Sequence, residues 1–253
     1  MIRVLATLLA LLWLALPAAA EKVVAGLSAE DIGLTASFDG STVLIYGAIK
    51  RDAPEPEGRL SVIVTLEGPL QRVTVRRKSR EVGIWVNTGK IVVPEAPSYY
   101  AVAASAPLEK ILPPTLDALE RISLPLAMQS FAGPLGEHDT RPYAEALMRI
   151  RSEQGAYQLK MSRVKLVQDT LFRADFDLPA NLIEGDYKAR IFLLRAGTLI
   201  DRAESRIRVR RVGLERLVYT LSREKPALYG ALSLALAIFA GWAASALFRL
   251  IRR

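Results

Sequence analysis

The chain has no cysteine, one histidine and only three tryptophans among its 253 residues. Without cysteine, disulfide scaffolds, thiol nucleophiles, iron–sulfur clusters and thiolate-bound zinc are excluded together. With His138 alone, a multi-histidine metal centre is excluded as well. No Gly-x-Ser-x-Gly elbow, phosphate-binding loop, dinucleotide fingerprint or metalloprotease helix motif occurs. No cofactor and no metal is therefore expected.

What is present in excess is positive charge, 34 Lys+Arg against 26 Asp+Glu. Its placement decides its meaning. Residues 21–222 hold 28 of the basic and 25 of the acidic residues, so most of the surplus sits at the two ends, beside apolar runs. A nucleic-acid footprint would instead cluster on a folded domain, so no nucleic-acid partner is expected.

Residues 1–20 begin Met1-Ile2-Arg3, continue apolar from Val4 to Leu16 and close on Pro17-Ala18-Ala19-Ala20. A basic start, an apolar stretch of about 7 to 15 residues and a small-x-small end are what signal peptidase reads. Cleavage after Ala20 would leave Glu21 as the mature N-terminus. At the other end, Ala227–Phe248 carries no charge, follows Arg223, Lys225 and Pro226, and precedes Arg249, Arg252 and Arg253. At 1.5 Å per residue such a helix crosses a hydrocarbon core of about 30 Å, and the basic residues beyond it place the C-terminus inside. The expected topology is a single-pass protein of the bacterial inner membrane with its bulk in the periplasm. Within the span Ser233, Ala237, Gly241 and Ser245 fall four apart, a small-residue stripe that admits a close helix neighbour, although Gly, Ala and Ser are common throughout this stretch.

Between the ends the pattern predicts a mainly β exported region, an immunoglobulin-like β-sandwich with a short helical connector. Val43–Ile49, Leu60–Leu66, Val73–Val75, Gly83–Val86 and Ile91–Val93 are β-branched runs. Asp39-Gly40, Glu67-Gly68-Pro69 and Asn87-Thr88-Gly89 separate them with turn chemistry. Helical spacing follows over Leu108–Ile122, interrupted by Pro113-Pro114, and over Pro142–Gly155, capped by Asp139 or Thr140. Strands return over 159–167, 170–176, 187–194 and 198–212. The expected divisions are a signal peptide (1–20), a β-sandwich domain (21–106), a helical connector (107–155), a second Ig-like β region (156–213), a juxtamembrane linker (214–226), a transmembrane helix (227–248) and a cytoplasmic tail (249–253).

Candidate functional residues are few. His138, in Gly136-Glu137-His138-Asp139, reads as a surface or capping residue, because no nucleophile pattern accompanies it. Arg206, Arg208 and Arg210 alternate with Ile207 and Val209, so a strand would line three guanidinium groups along one face as an anion or partner surface. Arg76, Arg77, Lys78 and Arg80 form a second basic group, suited to oxyanions or anionic headgroups. Trp85 is expected in the sandwich core, whereas Tyr99 and Tyr100 fit either the core or a ligand groove. No catalytic residue is expected.

The segments Gly83-Ile84-Trp85-Val86-Asn87 and Pro97-Ser98-Tyr99-Tyr100-Ala101-Val102 carry a resemblance. So do Phe176-Asp177-Leu178-Pro179-Ala180-Asn181 with Gly185-x-Tyr187, and the run from Val212-Gly213-Leu214-Glu215 to Leu228-Tyr229-Gly230. Together the chain resembles an alphaproteobacterial transmembrane protein family whose members are often encoded beside sulfite-exporter (TauE/SafE) permeases. The resemblance implies one C-terminal span and no catalytic residue. Two readings of function stay open: a non-enzymatic accessory or scaffold for a membrane partner such as an anion permease, and a periplasmic ligand- or oxyanion-binding module. A hydrolytic enzyme is the third.

Overall fold

The computed structural model describes residues 21–35, 37–52, 54–131, 141–160 and 163–251. The expected leader (1–20), His138 with its capping neighbours, and Arg252 and Arg253 lie outside the described residues. Seven strands come first: β1 (Glu21–Leu27), β2 (Asp31–Leu34), β3 (Gly40–Arg51), β4 (Leu60–Glu67), β5 (Leu70–Glu81), β6 (Ile84–Pro97) and β7 (Tyr100–Ala104). Four helices follow, α1 (Leu108–Ile111), α2 (Pro114–Glu120), α3 (Leu124–Phe131) and α4 (Arg141–Glu153). Then come β8 (Tyr157–Lys160), β9 (Lys165–Val167), β10 (Leu171–Pro179), β11 (Gly185–Arg195) and β12 (Thr198–Arg211), and finally α5 (Leu214–Glu224) and α6 (Pro226–Ile251). The chain is mainly β with several sheets, a few short helices and one long apolar helix.

Two sheets draw strands from both ends of residues 21–213. One has the order β1-β3-β10-β9, the other β2-β12-β11-β4-β7-β8, and β5 with β6 forms a ribbon of its own. Antiparallel pairing of β3 with β10 and of β4 with β11 joins residues 21–106 to residues 156–213 strand by strand. The four-stranded and six-stranded sheets meet where β1 touches β11 and β10 touches β4.

Burial follows from this layering. β4 is buried from Leu60 through Leu66 and β11 from Ile191 through Arg195, because alternate side chains of a central strand point to opposite faces and both faces are covered. One face contributes Ile63, Val102, Ala104, Phe192 and Leu194 to a core with Leu108, Ile111, Leu112, Ile122, Met128 and Leu147 from the helical segment. Each large apolar side chain buried there contributes about 1.5–3 kcal/mol. Gly47 is a requirement of the other sheet, since a Cβ at that position would stand 2.5 Å from the Val24 carbonyl oxygen and 2.6 Å from the Phe172 ring. Tyr187, buried, donates its hydroxyl to the Ile183 carbonyl at 3.1 Å, closing the turn into β11.

The helical connector breaks where the proline pair requires it. α1 ends before Pro113, and Pro114 stands at the start of α2, where a missing N–H costs nothing. Helix α3 is an element the periodicity did not reveal, because its eight residues span barely two turns.

Two sequence expectations need correction. Trp85 is 69 % exposed rather than in the core: it lies at the far end of the β5–β6 ribbon, which pairs only with itself. Asn87-Thr88-Gly89 is not a turn but part of β6, opposite a register shift between Arg77 and Lys78 that absorbs the irregularity. The actual turn is Val82-Gly83, both with positive φ (49° and 86°) and closed by the Glu81–Ile84 pair, as a two-residue type I′ hairpin requires. The stretch 214–226 holds the helix α5, whose apolar residues Leu214, Leu217, Val218 and Leu221 recur at helical spacing.

A second compact unit comprises Gly33–Phe38 and Val209–Arg253. In it the Arg211 guanidinium stacks 4.1 Å above the Tyr219 ring of α5. Pro226–Ser245 is a 20-residue stretch of α6 apolar enough to cross a membrane, with none of it buried inside the protein.

Candidate functional site

The register of β4, β7 and β11 places polar side chains side by side on the helix-covered face. Glu67 is directly opposite both Lys188 and Tyr100, and Thr65 is opposite both Arg190 and Val102. One step further, Ile63 pairs with Phe192 and Ala104, and the face turns apolar. The polar end opens as a cleft of about 210 Å³ lined by Glu67, Tyr100, Glu120, Arg121, Ala127, Lys188 and Arg190. It shares Glu120, Lys188 and Arg190 with a neighbouring recess of about 360 Å³ that adds Arg202 and Glu204.

The rim of the cleft is the link from α2 to α3, held to α2 by one side chain and fastened onto the sheet by two. Asp117 Oδ1 accepts from the backbone N–H groups of Ile122 (3.0 Å) and Ser123 (2.8 Å). The Tyr100 hydroxyl donates to the Ile122 carbonyl at 2.8 Å, and burial raises its pKa well above the ordinary phenol value. Arg190 Nη1 donates to the Glu120 carbonyl at 2.9 Å while its guanidinium lies 5.4 Å from the centre of the Phe192 ring. Arg190 Nε and the Thr65 hydroxyl are buried without a hydrogen-bond partner among the described residues. An unmet buried donor is costly.

Charges across the cleft nearly balance. Arg202 pairs with Glu120 at 3.1 Å, and Lys188 with Glu204 at 3.8 Å. Burial pushes the Glu67 carboxyl above its usual range, against the pull of Arg190 and Lys188 and with help from Glu204. Such a lining favours a ligand offering both acceptors and donors over a bare anion. Neither Glu67 nor Arg190 was singled out in the sequence; the available signal was Lys188-x-Arg190-x-Phe192-x-Leu194, a strand face that changes from charged to apolar midway.

The residues that were singled out lie elsewhere. Arg206, Arg208 and Arg210 occupy exposed positions along β12. Arg208 is engaged by Asp31 at 2.8 Å and Arg206 stands 3.9 Å from Glu204, and Arg210 also has an interaction partner. Ser233, Ala237, Gly241 and Ser245 are exposed along α6. Tyr99 and Tyr100 are both buried, and Tyr100 lines the cleft. Among the described residues no group of three or more His, Asp or Glu side chains is arranged to hold a metal ion.

A second charged cluster is closed to ligands. Glu21, 2 % exposed, accepts two hydrogen bonds from Arg195, Nε at 3.0 Å and Nη2 at 2.7 Å, and one from Arg51 Nε at 2.7 Å. Arg195 Nη1 also donates to the Pro56 and Gly58 carbonyls. This network ties β1 to β11 and so one sheet to the other.

Among solved structures, the sporulation control protein Spo0M from Bacillus subtilis aligns at 11 % identity and a TM-score of 0.28, over 81 % of this chain and 55 % of that one. This chain thus spans about half the length of that protein. A search of curated proteins found no match. The profile of a family described as "Putative transmembrane protein (Alph_Pro_TM)" matches residues 22–250, from β1 through nearly all of α6, and the chain belongs to that family.

Proposed function

We propose that this protein is a non-enzymatic periplasmic β-domain tethered to the inner membrane by α6, with its C-terminus in the cytoplasm, and that it serves a membrane partner as an accessory or scaffold. The observation that carries the reading is α6, an apolar span with no surface buried inside the protein, joined to a β-rich unit with a core of its own. The leader-like residues 1–20 and the basic residues after the span support the orientation. An anion permease of the sulfite-exporter class is the partner suggested by the family resemblance. The Tyr187 hydroxyl bond to Ile183, a feature of tyrosine corners, supports an immunoglobulin-like description of the sheets. A periplasm-dependent reporter placed at Pro56 should be active and a cytoplasm-dependent one active only after Arg253; cross-linking in native membranes should then recover a membrane protein. Cytoplasmic activity at Pro56 would refute the topology.

The ligand-binding reading is favoured by one observation, the cleft of about 210 Å³ in which Lys188 and Arg190 stand with Glu67 and Glu120. If it holds, a zwitterionic amino acid should raise the thermal midpoint of the native protein more than sulfate does, and fail to do so for Arg190→Gln.

A further inference from the structure

The β5–β6 ribbon is anchored at one end and bare at the other. Val75 and Val93 near its base are buried in the core under the helices. At its tip Val82 is fully exposed, and Ile84 and Trp85 are 65 % and 69 % exposed. Single exposed apolar residues are ordinary, but three within four positions at a hairpin end form a patch. Val82 also takes a positive φ, which a β-branched residue adopts at a cost that Asn or Gly at that position avoids. Neither the exposure nor the turn geometry serves the stability of the free domain.

Charge supplies the second observation. Residues 76–90 carry Arg76, Arg77, Lys78, Arg80 and Lys90 against Glu81 alone, and all five basic side chains are exposed. Arg76 and Lys90 are direct cross-strand partners, a like-charge pairing that weakens a hairpin unless an external anion sits between them. Beside them is an open groove of about 340 Å³ lined by Arg76, Asn87, Thr88, Gly89 and Lys90: two cations flanked by amide and hydroxyl donors, the chemistry that holds phosphate oxygens.

We propose that the β5–β6 tip docks on a bilayer of anionic lipid, with Val82, Ile84 and Trp85 entering the interfacial zone and Arg76, Lys90 and their basic neighbours neutralising headgroup phosphates. Tryptophan favours that zone, where an amphipathic ring is at home, and juxtamembrane basic residues add electrostatic attraction that salt weakens. The inference rests on α6 crossing a bilayer, since tethering makes docking intramolecular and lets a weak contact count. It needs no protein partner.

The absence of cysteine gives a clean test. The full chain carrying Ile84→Cys, labelled with an environment-sensitive dye, is reconstituted into phosphatidylcholine vesicles with or without phosphatidylglycerol, and flotation first establishes that α6 has inserted. With phosphatidylglycerol the emission should shift to the blue and be quenched by brominated acyl chains. The same dye on Leu119→Cys, an exposed position of α2, should remain in water. Arg76→Gln with Lys90→Gln should lower the docked-to-free ratio roughly fivefold per charge at low salt. Failure of flotation would refute the anchor; successful flotation with a dye that stays in water would refute the docking. Equal quenching in neutral vesicles would overturn the headgroup role, and protection only in native membranes would assign the tip to a protein partner instead.

Discussion

Glu21 is the buried charge on which most depends. Burial alone would raise its carboxyl, but hydrogen bonds from Arg195 and then Arg51 outweigh that effect and hold it below the ordinary range. A lowered carboxylate contributes stability that is complete above the unfolded value, about 4.3, and is lost as pH falls through the folded one. Glu21→Gln should therefore cost about 1.5–3 kcal/mol at neutral pH, because Arg195 and Arg51 lose their buried carboxylate and keep only the half-exposed Glu55, at 3.3 and 3.4 Å. The gap from the native chain should shrink in acid, as urea titrations at several pH values will measure. Glu67 has the opposite sign. Its pKa is raised, so the carboxylate form disfavours folding above the folded value and the native chain gains stability as pH falls towards the unfolded value. Glu67→Gln should leave neutral-pH stability unchanged or higher by up to about 1 kcal/mol, and the same titrations should show the native chain closing that difference in acid. Composition alone could not separate these two glutamates: their difference is set by which arginines the fold brings near.

At the scale of elements, a turn and a helix face make separate predictions. Val82→Asn fits a type I′ turn and should stabilise the domain by about 0.5–1 kcal/mol, measurable as a rise in thermal midpoint. It should also reduce bilayer docking by removing an apolar contact, so stability and docking move in opposite directions. On α6, Gly241 has open space around it, and Gly241→Leu should leave the fold of the β unit unchanged. If a helix partner uses the small-residue stripe, the same change should reduce the yield of a cross-linked membrane complex, because the larger side chain keeps the neighbouring backbone away. The strand runs over 43–49 and 60–66 and the helix over 142–155 were legible because period and boundary residues agreed there. The 87–89 turn was misread because Asn, Thr and Gly have turn chemistry wherever they occur, whereas here cross-strand pairing and a bulge absorb them.

For the whole molecule, the pairing of β3 with β10 and of β4 with β11 means that neither strand-rich stretch completes a sheet alone. Residues 21–213 expressed without reductant or metal should fold with mainly β circular dichroism and a single unfolding transition, while residues 21–155 alone should not fold. A folded 21–155 fragment would show that the first seven strands suffice. The sequence by itself determined the chemistry that is excluded, the β-rich character of the chain and the membrane-spanning stretch, since each depends on composition or on a local period of side chains. Tertiary structure alone decided which strands neighbour each other, that Glu67 and Arg190 share a cleft, that Glu21 meets Arg195, and that Trp85 stands in the open. These are contacts between residues far apart in the chain, 174 positions for Glu21 and Arg195, fixed by sheet order and register, and no local pattern encodes them.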